Sequence, residues 1–178
     1  MALALSSQLR LTQLVLSGNL LSDKGLVTLA RSAFFAGLRT LNVSNSEVGD
    51  DGLAELASSP APLALTELDL SNSRVGDGGV AALARSTSLS RLTVLDLAYN
   101  QVGDAGARAL AQSASLPGLE KLILIGNQIR PAGALAPAHA PWLASLTTLD
   151  LQGNPLGMAG QDALREAAQR WPTSRLSL

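Results

Sequence analysis

Leu92-Thr93-Val94-Leu95-Asp96-Leu97-Ala98-Tyr99-Asn100-Gln101-Val102-Gly103-Asp104-Ala105-Gly106-Ala107-Arg108-Ala109-Leu110 holds two hydrophobic periods in succession. Leu95 and Leu97 alternate with other residues at period two, as in a half-buried strand. Asn100 marks a turn. Asp104 then precedes a segment whose Ala107, Leu110 and Ala111 recur at helical spacing, one apolar stripe on a helix that the aspartate can cap. The stretch therefore reads as strand, turn and helix.

Outward from it, the opening Leu-x-x-Leu-x-Leu frame recurs at a constant 27 residues, beginning at Leu11, Leu38, Leu65, Leu92, Leu119 and Leu146, with Val43 in the last Leu place of the second unit. A seventh frame starts at Thr173 and places Leu176 and Leu178 on the same positions. Repeats at 11–37, 38–64, 65–91, 92–118, 119–145 and 146–172 follow, with partial units at 1–10 and 173–178, in a single solenoid over 1–178. Turn positions carry Asn19, Asn100, Asn127 and Asn154, with Ser46 and Ser73 in the equivalent places. An asparagine there can serve backbone groups that the turn leaves unpaired. Serine is too short for that, which leaves Asn45 and Asn72, one position earlier, as the residues placed to compensate. Asp23, Asp50, Asp77 and Asp104 stand at the helix starts, ahead of Gly25, Gly52, Gly79 and Gly106. Those glycines point to a tight turn or to close approach of helix to sheet.

These motifs resemble the leucine-rich-repeat family, and within it the ribonuclease-inhibitor-like type with a true helix on the outer side. The resemblance covers 11–178 and implies an α/β solenoid, a horseshoe arc with a parallel sheet on the concave side and α-helices on the convex side. For function it implies a protein-interaction scaffold. The type also includes inhibitors and activators of GTPases, so regulation of a partner enzyme is a second reading by analogy. Self-assembly of the array is a third, because residues 1–10 read as the tail of a preceding helix and the chain stops inside a strand.

Composition narrows the chemistry. Hydrophobic residues make up 47% of the chain and charged ones 15%, enough for a long core, while 3% aromatics make that core aliphatic. A net charge of −1 gives no electrostatic case for nucleic acid or an anionic membrane. Without cysteine there is no disulfide or thiolate chemistry. The N-terminus lacks a basic region before its apolar stretch, and no apolar run is long enough to span a bilayer, so a cytoplasmic location is expected. The high alanine content fits a GC-rich bacterial genome and leaves delivery to a host cell open. No cofactor or metal is expected. His139, the one histidine, has no acidic residue near it in sequence, and Asp50–Asp51 and Asp162–Glu166 read as helix-start and helix-surface charges. No nucleophile, base and orienting group assemble, so the chain is not expected to be an enzyme.

Repeat five departs from the pattern. Pro131 suits a helix start, but Pro137 stands where other repeats have Leu29, Leu56, Leu83, Leu110 and Leu164, and Pro141 follows. A short or broken helix over 131–142 is predicted, read first as a surface variation on the convex side and, as the competing reading, as a second contact point with Trp142 partly exposed.

The strand positions between buried leucines face the concave side. Most are polar, but Val94, Ala98, Ile123 and Ile125 cluster in repeats four and five beside Tyr99. Val94, Tyr99, Ile123 and Ile125 are the expected partner-binding anchor, with Glu67, Asp69, Asp96 and Asp150 as an acidic rim. The competing reading takes the aliphatics as ordinary β-formers and the aspartates as solvated consensus residues.

Overall fold

The computed structural model describes residues 10–137, 140, 145–169 and 175–178. Pro141, Trp142 and His139 lie outside the described residues. Seven three-residue strands occur among those described: β1 (Gln13–Val15), β2 (Thr40–Asn42), β3 (Glu67–Asp69), β4 (Val94–Asp96), β5 (Lys121–Ile123), β6 (Thr148–Asp150) and β7 (Arg175–Ser177). They form one sheet in chain order, every pair parallel, and each residue pairs with the one 27 positions on, as Leu68 with Leu95. Helices α1 (Asp23–Ala30), α2 (Asp50–Ala57), α3 (Asp77–Ala84), α4 (Asp104–Ala111), α5 (Pro131–Ala134) and α6 (Gly157–Ala168) alternate with the strands and pack in the same order. The fold is an α/β leucine-rich-repeat solenoid.

Stacking explains the constant spacing. Leu41, Leu68, Leu95, Leu122 and Leu149 lie under the sheet at no more than 3% exposure, at the ~4.8 Å strand step. Val43, Leu70, Leu97, Leu124 and Leu151 form a second buried row, and Leu26, Leu53, Val80, Ala107 and Leu164 close the core from the helix side. Burying one such leucine contributes roughly 1.5–3 kcal/mol, and its neighbours are other repeats, so cohesion comes from the array.

The helix-start aspartates act between repeats. The residues preceding α1 to α4 (Ser22, Gly49, Gly76 and Gly103) make no side-chain cap. Instead Asp23 accepts from Gly49 N at 2.7 Å, Asp50 from Gly76 N at 2.6 Å, and Asp77 from Gly103 N at 2.7 Å and Gly106 N at 2.8 Å. Asp104 accepts from Arg130 N and Gly133 N. Each carboxylate thus meets the exposed N–H groups and positive dipole end of the next helix. The series ends where Pro131 takes the aspartate position.

Close approach to this carboxylate is what Gly52, Gly79 and Gly106 serve, while Gly25 lies against Leu21. A Cβ on Gly52 would lie 2.5 Å from Asp23 Oδ1, one on Gly79 2.9 Å from Asp50 Oδ1, and one on Gly106 2.7 Å from Asp77 Oδ1. Helix C-termini are also served across repeats: Ser86 Oγ donates to Ala57 O at 2.6 Å and Ser113 Oγ to Ala84 O at 2.7 Å.

The asparagine series forms the expected ladder from repeat four onward. Asn100 Nδ2 donates to Leu70 O at 2.8 Å and its Oδ1 accepts from Val75 N at 2.9 Å; Asn127 and Asn154 repeat both bonds one unit on. Asn45 and Asn72 do not compensate for the serines. Asn72 Nδ2 donates to Asn45 Oδ1 at 2.6 Å on the exposed side, while the Ser46 and Ser73 hydroxyls lie 3.2 Å apart beneath.

In repeat five α5 covers four residues against eight in α1 to α4, with Pro131 at its first turn and Pro137 buried beyond it. This agrees with the expected interruption, because proline lacks the N–H that a continuing helix requires. No helix among the described residues is long and apolar enough to cross a membrane.

Candidate functional site: the open face of the sheet

Each strand turns its central leucine into the core and its flanking residues outward, which sets side chains in rows across the sheet. One row runs Gln13, Thr40, Glu67, Val94, Lys121, Thr148. The next runs Val15, Asn42, Asp69, Asp96, Ile123, Asp150.

In the second row a polar side chain closes the strand exit. Asp69 Oδ1 accepts from Ser71 N at 2.9 Å, Asp96 Oδ1 from Ala98 N at 2.9 Å, Asp150 Oδ1 from Gln152 N at 3.1 Å, and Asn42 Oδ1 from Ser44 N at 3.0 Å. These are Asx-type turns. The consensus aspartates therefore have a structural task as well as an exposed carboxylate. Ile123 interrupts this row between Asp96 and Asp150 and can make no such bond.

The expected site residues come together on β3 to β6 and the turns after β4 and β5. Val94, Ile123 and Ile125 are half-buried, Glu67 is exposed, and Asp69, Asp96 and Asp150 are half-buried. Ala98, grouped with the aliphatic cluster by sequence, is buried and contributes no outward surface. Tyr99 is 61% exposed, the most accessible of the apolar and aromatic members.

Carboxylates outnumber cations here. Asp69 receives Asn42 Nδ2 at 2.7 Å, but no side-chain donor among the described residues reaches Asp96. Partial burial pushes the Asp96 carboxyl above the usual value, the Ala98 N–H pulls it back, and the neighbouring Asp69 charge raises it further. Stability therefore falls as pH rises from the ordinary value of Asp96 to its raised one, and the cost of ionising it in the fold persists above that.

Sequence patterning did not reveal how Tyr99 is held. The turn position after each of β1 to β6 has positive φ: Gly18 (73°), Asn45 (53°), Asn72 (52°), Tyr99 (54°), Gly126 (65°) and Gly153 (72°). Glycine and asparagine tolerate this region; a tyrosine there is strained by roughly 1–2 kcal/mol. The ring lies over the bare backbone of Gly126, where a Cβ would come within 2.5 Å of Tyr99 Cδ1. The 27-residue column was the available signal, since every other member is Gly or Asn. Tyr99→Asn is expected to raise stability by about 0.5–1.5 kcal/mol, by relieving the strain and extending the Asn45–Asn72 link. Urea denaturation would show it as a higher midpoint; a lower midpoint would mean that ring packing on Gly126 outweighs the strain.

A sheet face of this kind, open to solvent and backed by stacked helices, defines a repeat protein of the leucine-rich class. The sequence profile described as Leucine Rich repeat matches residues 11–30, 38–57, 64–84, 89–111 and 143–164, more than half of the chain, and the chain belongs to the leucine-rich repeat family. Residues 112–142, which include the shortened α5, lie outside these matches.

No curated protein sequence matches the chain. Among solved structures it is similar to an internalin from Listeria monocytogenes, at 18% identity and a TM-score of 0.49, covering 86% of this chain and 43% of that one. It is similar also to a TDR receptor, at 21% identity and a TM-score of 0.49, covering 85% of this chain and 23% of the receptor. A third is the Actin-Binding Site 2 of Leiomodin-1, at 15% identity and a TM-score of 0.46, covering 89% and 79%. The chain thus spans less than half the length of the first two.

Proposed function

We propose that this chain is a protein-interaction scaffold that engages its partner through the open sheet face, with Val94, Tyr99, Ile123 and Ile125 as the anchor and Glu67, Asp69, Asp96 and Asp150 around it. The observation that carries this reading is Tyr99, an exposed aromatic kept in a left-handed turn where every other repeat has Gly or Asn. Strain of that kind is retained where a side chain is needed at its position. Ile123 supports the reading, because it gives up the turn bond made by the residues on either side of it in its row. Tyrosine supplies a large contact area at low entropic cost, as binding hot spots require.

Affinity capture from a lysate of the source organism tests this, comparing wild type with Ile123→Glu/Ile125→Glu and with Tyr99→Asn. A protein retained by wild type and lost by both variants, each folded by circular dichroism, is the expected result. Tyr99→Asn is the more informative variant, since it is expected to gain stability while losing the partner. Undiminished retention by both variants would place the contact elsewhere. If the retained protein is an enzyme whose rate changes on binding, the scaffold acts as its regulator.

A further inference from the structure

Beside the anchor, the sheet face deepens into a trough of about 330 Å³ spanning β1 to β4. Glu67, Asp69 and Asp96 line it, and no lysine or arginine does. Its remaining walls are apolar or neutral, with Val15 and Val94 at opposite ends. Among the described residues no three acidic or histidine side chains converge as metal ligands, so the carboxylates are spread along the trough rather than gathered on one point. We propose that this trough receives an arginine side chain from an extended segment of the protein partner, its guanidinium held by Asp96 together with Asp69 or Glu67 and its methylene stem lying along Val94. The proposal rests on the reading of the sheet face as the docking surface and adds the chemistry of what docks.

Charge complementarity carries it. Asp69 and Asp96 are register partners on adjacent strands, about 4.8 Å apart along the hydrogen-bonding direction. A planar guanidinium with five donors can bridge two carboxylates at that spacing, which the single point of an ammonium does less well. Asp69 is already occupied by Asn42 Nδ2 and by Ser71 N and Oγ. Asp96, held among the described residues only by the Ala98 N–H, has acceptor capacity to spare. Partial burial and the adjacent Asp69 charge both disfavour the ionised Asp96 carboxylate, a cost that an incoming cation removes. An arginine stem is apolar along most of its length and suits a wall such as Val94. The large surface hollow on the helix side differs in kind: cations and carboxylates line it together, and its Glu47 and Glu55 are paired with Arg74 and Arg31.

The probe is a nine-residue peptide of alternating serine and alanine with one central arginine, set against the same peptide carrying citrulline, which keeps the shape and loses the charge. Both are titrated to millimolar concentration into the full chain labelled with nitrogen-15, and amide shifts are followed. The arginine peptide is expected to move resonances around Asn42, Asp69 and Asp96 saturably, about tenfold more tightly than citrulline and less so as salt is added. Asp69→Asn/Asp96→Asn is expected to weaken it about tenfold again while leaving the spectrum folded, since asparagine already holds the same turn position at Asn42. Equal shifts from both peptides, no saturable shift, shifts confined to the helix side, or undiminished binding by the Asn variant would each overturn the proposal. The partner-capture experiment turns on Tyr99, Ile123 and Ile125, so docking on this face and arginine recognition within it can fail independently.

Discussion

Asn127→Ala is expected to destabilise the chain by roughly 3–5 kcal/mol, a large effect for a polar residue and more than most single core truncations of valine size. The side chain is buried and joins two repeats. Its Oδ1 accepts from Val102 N at 2.9 Å, and its Nδ2 donates to Leu97 O at 2.9 Å and Leu124 O at 3.0 Å. Val102 is fully buried, so alanine at 127 strands an N–H away from water, at about 1–3 kcal/mol, and weakens three carbonyls besides, those of Leu97, Leu124 and Ile125. Asn19 is the internal control. It is exposed and among the described residues bonds only to Leu16 O and Ser17 O of its own turn, so Asn19→Ala should cost less than about 1 kcal/mol. Urea unfolding measures both, with the loss read from the midpoint at constant slope. Equal costs at 127 and 19 would show that the ladder contributes nothing between repeats.

A double-mutant cycle on Asp77 and Gly106 should be strongly non-additive. Asp77→Ala removes a charge-assisted acceptor from both Gly103 N and Gly106 N, and leaves the start of α4 without its only side-chain partner from the preceding repeat. The expected loss is about 3 kcal/mol. Gly106→Ala alone places a Cβ 2.7 Å from Asp77 Oδ1 and 2.9 Å from Val102 Cγ1. The overpacking of about 1–3 kcal/mol exceeds the ~1 kcal/mol that alanine gains over glycine in a helix. With Asp77 already gone, the same alanine loses its worst contact and keeps its propensity. The double variant should therefore be more stable than the sum of the singles by about 1–2 kcal/mol. Strict additivity would mean that the carboxylate and the glycine are independent features of the repeat, contrary to the geometry.

The two cases separate what patterning reveals from what it hides. Leu95 and Leu97 could be placed in the core because their period and their 27-residue recurrence leave no other face for them. The truncated helix of repeat five was readable for a similar reason: proline's missing N–H is a local property, and Pro137 sits in a helical frame. Asp77 was legible as a helix-start residue, yet its partner was not. A carboxylate at the first helical position can turn to its own helix or to a neighbour, and only the stacking distance decides between them. For the same lack of a third coordinate, patterning leaves the glycines between a tight turn and close approach to the sheet.

The binding face shows the same division. Alternation within each strand assigned Val94, Ile123, Asp69 and Asp96 to the outward side, and the rows confirm that orientation. Ala98 departs from that alternation, because two positions past the strand the chain is already curling into the turn and the methyl falls inside.

The sequence by itself determined the solenoid, its strand–turn–helix order, its register and its aliphatic core, because a period held through six units admits one stacking. Tertiary structure alone decided which repeat each polar side chain serves, that Tyr99 sits in a left-handed turn over Gly126, and that three carboxylates share a trough without a cation. The physical reason is range. Hydrophobic periodicity is written along one segment, whereas hydrogen bonds, strain and charge balance at this face arise between residues 27 apart in the chain and one strand apart in space.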